Sequence, residues 1–181
     1  IIYMNGEPEN NISMFWRFFA AEDSDIAIFR DTDSPILWRE RWAVQEWLQS
    51  EKTLHCMRDH GDHNSWPVWG GMWGVKNKID NIRDTISAYS HRQYQRHFLS
   101  DTIWNNYKED SLSHVGNENC ILTNRHCGRD IENTDGLEFD FPTIRKKREF
   151  VGMYRSWVYY GSTPLGAHIS DKEIRKYESR Y

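Results

Sequence analysis

The sequence predicts an α/β protein whose central sheet is mostly parallel and flanked by helices. Two short apolar runs, residues 26–29 and 53–57, have the length and composition of buried strands. Segments with apolar residues at helical spacing alternate with such runs, which is the pattern expected when helices connect parallel strands. We therefore expect one domain over residues 1–181, with right-handed connections between its strands.

Residues 1–6 are predicted to form a strand that runs into a turn, and five helices are expected, the last of them charged and beginning at about Lys172. Residues 14–21 are compact and apolar, and a second helix should begin at Ser34, a good N-cap, with Pro35 at its first position. This second helix should run to about Ser50. Its buried face is predicted to comprise Leu37, Val44, Trp47 and Leu48. Two further helices are indicated by the spacing of Ile79, Ile82 and Ile86 and of Tyr94, Phe98, Leu99 and Ile103. Residues 113–136 are polar and are predicted to form mostly loop.

Composition excludes several classes of function. The net charge of −4 disfavours a general nucleic-acid binder, because phosphate contacts require a surplus of Lys and Arg. No apolar run approaches the ~20 residues that cross a bilayer, and no secretory signal is visible, although the chain begins at Ile1 rather than Met. The 3 cysteines are an odd number without a disulfide-scaffold pattern, so we expect a reducing, cytoplasmic location.

An acidic turn directly follows the first predicted strand. Asp31 and Asp33 are separated by one residue, and ligands of open α/β sheets bind at the carboxyl ends of the strands. Two carboxylates placed there repel each other unless a divalent cation neutralises both. The turn therefore predicts a metal-held phosphate or diphosphate. The alternative is a solvated turn in which Asp33 helps to cap the helix that begins at Ser34.

This turn is one of several motifs that occur in order along the chain. The segment Phe29-Arg-Asp-Thr-Asp-Ser34 resembles the DxD motif of GT-A fold glycosyltransferases. The resemblance extends over about residues 14–153. The enzymes that the chain resembles are a group of small glycosyltransferases of bacteria and large DNA viruses, including a chlorella virus enzyme domain. The other segments that carry it are residues 55–60 (HCMRDH), 67–74 (PVWGGMWG), 98–99 with 103–104, and 141–142 with 149–152.

The resemblance implies a single glycosyltransferase catalytic domain with a GT-A-like nucleotide-diphospho-sugar transferase fold. The donor would be a UDP-sugar such as UDP-glucose, the acceptor a glycan or another hydroxyl compound, and the cofactor Mn²⁺ or Mg²⁺. The first nucleotide-binding strand would lie at or before residues 1–5, which leaves part of the base pocket outside this sequence. For a viral protein, the expected cytoplasmic location would be that of the host.

The resemblance also implies roles for individual residues. Asp33 is expected to be the more direct metal ligand, and Asp31 a second ligand or a ribose contact. Arg30 would contact the diphosphate or the ribose. The third ligand in related folds is often a histidine from a late loop, which here would be His114; its other interpretation is an ordinary loop histidine.

A second group of candidates follows the second predicted strand. Asp59 and His60, with His63 nearby, lie where an acceptor hydroxyl would approach. If the reaction inverts the anomeric centre, Asp59 is the first candidate for the general base that takes the acceptor proton. A salt bridge between Asp59 and Arg58 is the alternative.

The next segment, which includes residues 70–74, is predicted to be a glycine loop and also contains tryptophan. Gly70 and Gly71 allow backbone amides to face the sugar, or form only a tight turn. Trp69 and Trp73 are candidates for a sugar-stacking platform or for the core. The basic run at residues 145–148 is a candidate diphosphate clamp or a solvated surface.

Two rival functions remain open at this point. Cys56, His60 and His63 suggest a zinc-dependent hydrolase, because thiolate and imidazole are zinc ligands. The 9 tryptophans suggest a carbohydrate-binding module without catalytic activity, whose binding would need neither metal nor nucleotide.

Overall fold

A computed structural model describes residues 14–60, 63, 65–89, 95–116, 136–143 and 150–153. Five strands form one sheet within these residues, and short helices cover both of its faces. The strands are β1 (Ile26–Arg30), β2 (Leu54–Arg58), β3 (Met72–Lys76), β4 (Ser111–Val115) and β5 (Leu137–Asp140). The helices are α1 (Ala20–Asp23), α2 (Trp38–Gln49), α3 (Ile82–Tyr89), α4 (Gln95–Phe98) and α5 (Asn105–Tyr107), with a 3-10 turn at Trp16–Phe19 before α1.

The sheet has the order β1-β3-β2-β4-β5. The pairs β2–β4 and β4–β5 are parallel, whereas β3 is antiparallel to both β1 and β2. The predicted α/β class is confirmed, and four strands run in one direction, but the β3 segment was predicted as a glycine loop rather than a reversed strand. Antiparallel neighbours need no crossover helix, which lets the chain turn from β2 directly into β3.

This direction of the strands places several chain segments at one edge of the sheet. The residues that follow β1, β2, β4 and β5 and those that precede β3 all lie at what we call the carboxyl edge. It is formed by Asp31, Asp59, Gly71, Gly116 and Phe141. The ends of the two strands predicted from sequence thus meet at the same edge, as expected for strands that run in one direction.

A helical layer packs on each face of the sheet. On one face Phe29, Cys56 and Trp73 join a core with the N-terminal helical turns, α3 and the helical segment at residues 95–107. On the other face α2 packs through Ala43 against Met57 and its neighbours. The spacing-based prediction of α3 is confirmed. The helix predicted around residues 94–103 is present as α4, a π-helical stretch at Leu99–Trp104, and α5.

β1 differs from the fully buried strand that its sequence predicts. Ile26 and Ile28 are 50% and 42% exposed, whereas Ala27 and Phe29 are buried. Alternate residues of a strand face opposite sides of the sheet, so Ala27 and Phe29 join the core, whereas Ile26 and Ile28 lie on the other face of a strand at the end of the described sheet. β2 lies inside the sheet and is buried along its whole length, as predicted.

Helix α2 begins later than predicted. Leu37 has an extended backbone, and the first helical residue is Trp38, so the Ser34 cap and the Pro35 start are wrong. The backbone N–H of Ser34 instead donates to the Asp31 carbonyl (3.3 Å), which closes the acidic turn. The helix ends at Gln49, as expected. Its buried residues are Arg39, Glu40, Ala43 and Trp47, and Leu48 is exposed.

Two strands lie in segments for which the sequence predicted no strand. β4 overlaps the predicted loop 113–136, and β5 follows it. The predicted opening strand at residues 1–6, the basic run at 145–148 and the charged C-terminal helix lie outside the described residues. Within the described ranges, no helix combines the length and hydropathy that crossing a bilayer requires.

Candidate active site

The carboxyl edge brings together three of the segments that the sequence predicted as functional. Asp31 follows β1, Gly71 precedes β3, and Asp59 follows β2. Because β3 lies between β1 and β2, Asp31 and Asp59 are separated by two strand spacings, or about 10 Å. The acidic turn, the glycine pair and the Arg-Asp-His segment are therefore neighbours in space.

Asp31 is held between a cation and a glycine. Arg17, from the 3-10 turn before α1, donates Nη1 to Oδ1 of Asp31. Oδ2 lies against Gly71, where an added Cβ would come within 2.2 Å of it. The side chains of Arg17 and Asp31 remain 34% and 41% exposed. The paired carboxylate is therefore still accessible to solvent and to a ligand.

Asp33 lies on the same turn and is exposed. Since α2 begins at Trp38, Asp33 does not cap a helix at Ser34, so the capping part of that alternative is wrong, whereas the exposure of Asp33 agrees with a solvated turn. The turn thus presents two carboxylates, one paired with Arg17 and one exposed, at the position predicted from the DxD motif.

Arg30 supports the acidic turn from the α2 side of the sheet. Its Nη1 donates to the Gly71 carbonyl (2.7 Å), and its Nη2 donates to the Pro35 carbonyl (3.4 Å). Its guanidinium also forms an ion pair with Glu40 of α2, which is almost fully buried. Burial raises the pKa of Glu40, and the charge of Arg30 opposes that shift. Arg30 therefore contacts internal partners rather than projecting toward a ligand.

Asp59 has a different environment from Asp31. Arg39 of α2 donates Nε to Oδ2 (2.9 Å) and Nη2 to Oδ1 (3.1 Å), and the Val151 N–H donates to Oδ2 (3.1 Å). The carboxylate has 0% exposure. The expected partner Arg58 points elsewhere and donates to the Pro67 carbonyl (3.1 Å). Three donors and full burial favour a structural role for Asp59 over the predicted role of general base.

The two histidines after β2 pack around Asp59. His63 accepts a hydrogen bond at Nδ1 from the Asp59 N–H (3.1 Å). Burial, with the nearby His60 and Arg58, lowers the pKa of His63 to about 3, so its ring is neutral at pH 7. His60 is buried and stacks on Phe150 with ring centroids 4.2 Å apart. These contacts shape the edge but do not expose either ring to a ligand.

His114 does not join the acidic turn. It lies in strand β4 rather than in a loop, and β3 and β2 separate β4 from β1. Its two ring nitrogens contact His55 Nε2 (2.8 Å) and Glu46 Oε2 (3.0 Å). Burial lowers the pKa of His114, although Glu46 opposes this shift. The loop placement was wrong, and a ligand set of Asp31, Asp33 and His114 is not assembled.

The aromatic candidates divide between core and edge. Trp73 is fully buried and stacks on Phe29 with centroids 4.2 Å apart, so it belongs to the core and not to a sugar platform. Trp69 is half-buried and donates Nε1 to the His63 carbonyl (3.0 Å). The three atoms nearest to a Cβ on Gly70 would all belong to the amide end of Gln95.

The acidic turn offers two carboxylates to a divalent cation. Among the described residues, no group of three or more His, Cys, Asp or Glu side chains is arranged to hold a metal. Asp31 and Asp33 nevertheless offer an all-oxygen donor set, and Mg²⁺ is commonly held by one or two carboxylates together with substrate phosphates and water. The guanidinium of Arg17 already pairs with Asp31. The donor chemistry of the turn is therefore compatible with a hard cation.

Three charged residues of this region were missed in the sequence. Arg17 and Asp31 are 14 positions apart in the sequence, and no local sequence pattern indicates that their side chains are in contact. The burial of Arg39 and Glu40 could have been inferred from the sequence, because they share a helical face with Ala43 and Trp47. Charged side chains on a buried helical face indicate partners on the facing element.

Comparison of this chain with protein families, with curated proteins and with solved structures finds no match. What can be inferred about function therefore depends on the residues of the carboxyl edge and on the motifs they carry.

Proposed function

We propose that this protein is a metal-dependent glycosyltransferase with a GT-A-like fold that transfers a sugar from a UDP-sugar to a hydroxyl group of a glycan. The observation that carries the proposal is the acidic turn at the carboxyl edge, where Gly71 packs directly on Asp31. The DxD segment and the Gly-Gly segment, which lie 36 or more positions apart in the sequence, are in contact there. Their contact supports the interpretation that both segments belong to one site and are not two unrelated motifs that occur by chance.

The chemistry follows from the charges that glycosyl transfer creates. The bond between the anomeric carbon and a diphosphate oxygen breaks, and negative charge accumulates on the leaving nucleotide. A bound divalent cation supplies Lewis-acid stabilisation of that charge. Asp31 and Asp33 would hold the cation through carboxylate oxygens, the donors that Mn²⁺ and Mg²⁺ prefer. Arg17, which already contacts Asp31, supplies a positive charge beside the diphosphate.

Asp59 is proposed as a positioning residue and not as the base. Its carboxylate connects the end of β2 to α2 through Arg39 and to residue 151 through a backbone hydrogen bond. His63 and His60 pack around the same segment. This buried cluster fixes the part of the carboxyl edge that faces the acidic turn, so its removal should act through the fold.

The described contacts disfavour the two rival functions. Burial raises the pKa of the Cys56 thiol to about 12, so the metal-free protein holds it as a neutral thiol. Cys56 also lies in the core with Trp73. The core position of Trp73 removes one of the aromatic faces that a carbohydrate-binding module would use.

The substitution Asp33→Ala tests the proposal. Asp33 is exposed and α2 begins beyond it, so the variant should keep the wild-type unfolding midpoint. Calorimetric titration with UDP should show Mn²⁺-dependent binding to the wild type and at least tenfold weaker binding to the variant. Asp25→Ala is the matched control, because Asp25 is exposed at the opposite end of β1, and it should bind UDP as the wild type does. Equal UDP affinity of the wild type and Asp33→Ala would refute the DxD assignment.

A further inference from the structure

The ion pair between Arg17 and Asp31 occupies the position that the proposed function gives to a metal ion. Arg17 Nη1 contacts Oδ1 of Asp31, and Gly71 closes the other side of the carboxylate at Oδ2. A cation that binds Asp31 must therefore approach from the side where the guanidinium lies. Asp33, on the same turn, brings a second negative charge to this place.

A divalent cation and a guanidinium compete for such a carboxylate. Both interact favourably with Asp31, and they repel each other when both lie within a few ångströms of it. The repulsion is removed when a diphosphate arrives, because its negative charges interact favourably with both cations at once. Arginine is well suited to the exchange, since its planar guanidinium binds carboxylates and phosphates with the same geometry.

Arg17 also has the freedom that such an exchange needs. Its side chain is 34% exposed, and the pair with Asp31 lies near the surface. Three other arginines near the edge in the described part of the chain, Arg30, Arg39 and Arg58, are more deeply buried and are paired with Glu40, Asp59 and Glu138. Of these four cations, Arg17 is the one that forms an ion pair with the acidic turn.

Building on the proposed function, we infer that Arg17 regulates metal occupancy of the site. In the absence of nucleotide, Arg17 holds Asp31 and keeps divalent cations weakly bound. When a nucleotide diphosphate binds together with the cation, Arg17 moves from Asp31 to the diphosphate. Metal and donor then bind cooperatively, and the protein takes up its metal with its substrate.

The inference predicts a specific change in metal binding. Removing the charge in Arg17→Ala or Arg17→Gln should increase the affinity for Mn²⁺ without nucleotide by about two- to tenfold. The lower part of this range corresponds to the loss of an exposed ion pair, and the upper part includes the lost repulsion. The same variants should bind Mn²⁺ less cooperatively with UDP, because the diphosphate loses a cationic contact.

The experiment is a titration of Mn²⁺ followed by the electron paramagnetic resonance signal of the free ion, with and without UDP. Arg17→Lys keeps the positive charge and should retain weak metal binding. Arg41→Ala is the matched control, since Arg41 is an exposed arginine of α2 that stacks on Trp38 and does not contact the acidic turn. Thermal unfolding of each variant checks that it is folded, and Arg17→Gln retains most of the side-chain length if Arg17→Ala does not fold.

The outcomes separate this inference from the proposed function. Tighter Mn²⁺ binding without UDP and reduced cooperativity with UDP, in the neutral variants alone, support the exchange. If the wild type binds UDP with Mn²⁺ but the neutral variants bind Mn²⁺ no more tightly than it does, the inference is refuted and the proposed function stands. If the wild type shows no Mn²⁺-dependent UDP binding, the proposed function fails and the regulatory role of Arg17 fails with it.

Discussion

Replacing Gly71 by alanine offers the most direct test of the contact on which the candidate site depends. The new Cβ would lie 2.2 Å from Oδ2 of Asp31, 2.4 Å from its Cγ and 2.8 Å from its backbone nitrogen. The side chain of Asp31 can rotate away, but its backbone nitrogen directly follows the β1 strand that pairs with β3. The methyl group should therefore displace the acidic turn as well as its carboxylate.

The expected loss of folding stability can be estimated from the effect of adding a methyl group to a densely packed region. Extra methyl groups in such places destabilise proteins by about 1–3 kcal/mol. In a domain of this size, that corresponds to a decrease of roughly 2–12 °C in the melting temperature. Ligand binding should be affected more strongly than folding stability, because Asp31 and Arg17 must both move from their present positions. We expect UDP binding in the presence of Mn²⁺ to weaken by at least tenfold.

The adjacent glycine provides the matched control. The three atoms nearest to a Cβ on Gly70 would all belong to the amide end of Gln95, at 2.7 and 3.0 Å, and that side chain can move aside. Gly70→Ala should therefore cost under about 1 kcal/mol and leave UDP binding intact. Asp31→Ala combined with Gly71→Ala should cost less than the sum of the two, because two of the three close contacts disappear. Equal stability and equal UDP affinity of Gly71→Ala and Gly70→Ala would refute the reasoning.

Two further predictions concern the buried charges. The folded state keeps His63 neutral with a pKa of about 3, and burial also lowers the pKa values of His55 and His114. The unfolded chain binds protons at these sites near pH 6.5, so stability should be complete above that pH and decrease as the pH falls below it, by about 2 kcal/mol at pH 5 from His63 alone. Urea unfolding at pH 7 and pH 5 measures this, and an unchanged or higher free energy of unfolding at pH 5 would contradict it. Arg39→Ala should lower the free energy of unfolding by about 3–5 kcal/mol, because Asp59 would remain buried without its cation. Arg41→Ala, on the exposed side of the same helix, should change it by less than about 0.5 kcal/mol, and a similar loss in both variants would contradict the role of the buried pair.

The part of the fold that could be predicted depends on local signals. The apolar runs of β1 and β2 and the polar residues after them were sufficient to place Asp31 and Asp59 at one edge. The isoleucine spacing of α3 was equally clear. β3 was missed because its sequence contains glycine and tryptophan and follows a glycine pair, which is typical of loops. Its strand conformation comes from pairing with neighbours on both sides, and that is a tertiary effect.

The start of α2 shows how a tertiary contact can override a good local signal. Ser34 and Pro35 have the side chains of an N-cap and a first helical position. In the structure, the Pro35 carbonyl accepts a hydrogen bond from Arg30, and Leu37 remains extended. The ion pair of Arg30 with Glu40 then attaches the first turn of the helix to β1. None of these contacts has a periodic pattern, so the sequence could not indicate that the helix begins three residues later.

The same limitation explains why Asp31 and Asp59 received related chemical roles before the structure was known. Each is an aspartate directly after a strand, beside an arginine, and the sequence contains nothing that separates them. Their partners differ: Asp59 has three buried donors, whereas Asp31 has one exposed cation that can be exchanged. Under the proposed function, a carboxylate that binds a metal and releases it must be able to exchange its partners, and of these two aspartates Asp31 meets that requirement. Replacing Asp33 should therefore weaken ligand binding, and replacing Arg39 should lower the free energy of unfolding. The reverse result would show that the ligand-binding role and the structural role had been assigned to the wrong aspartates.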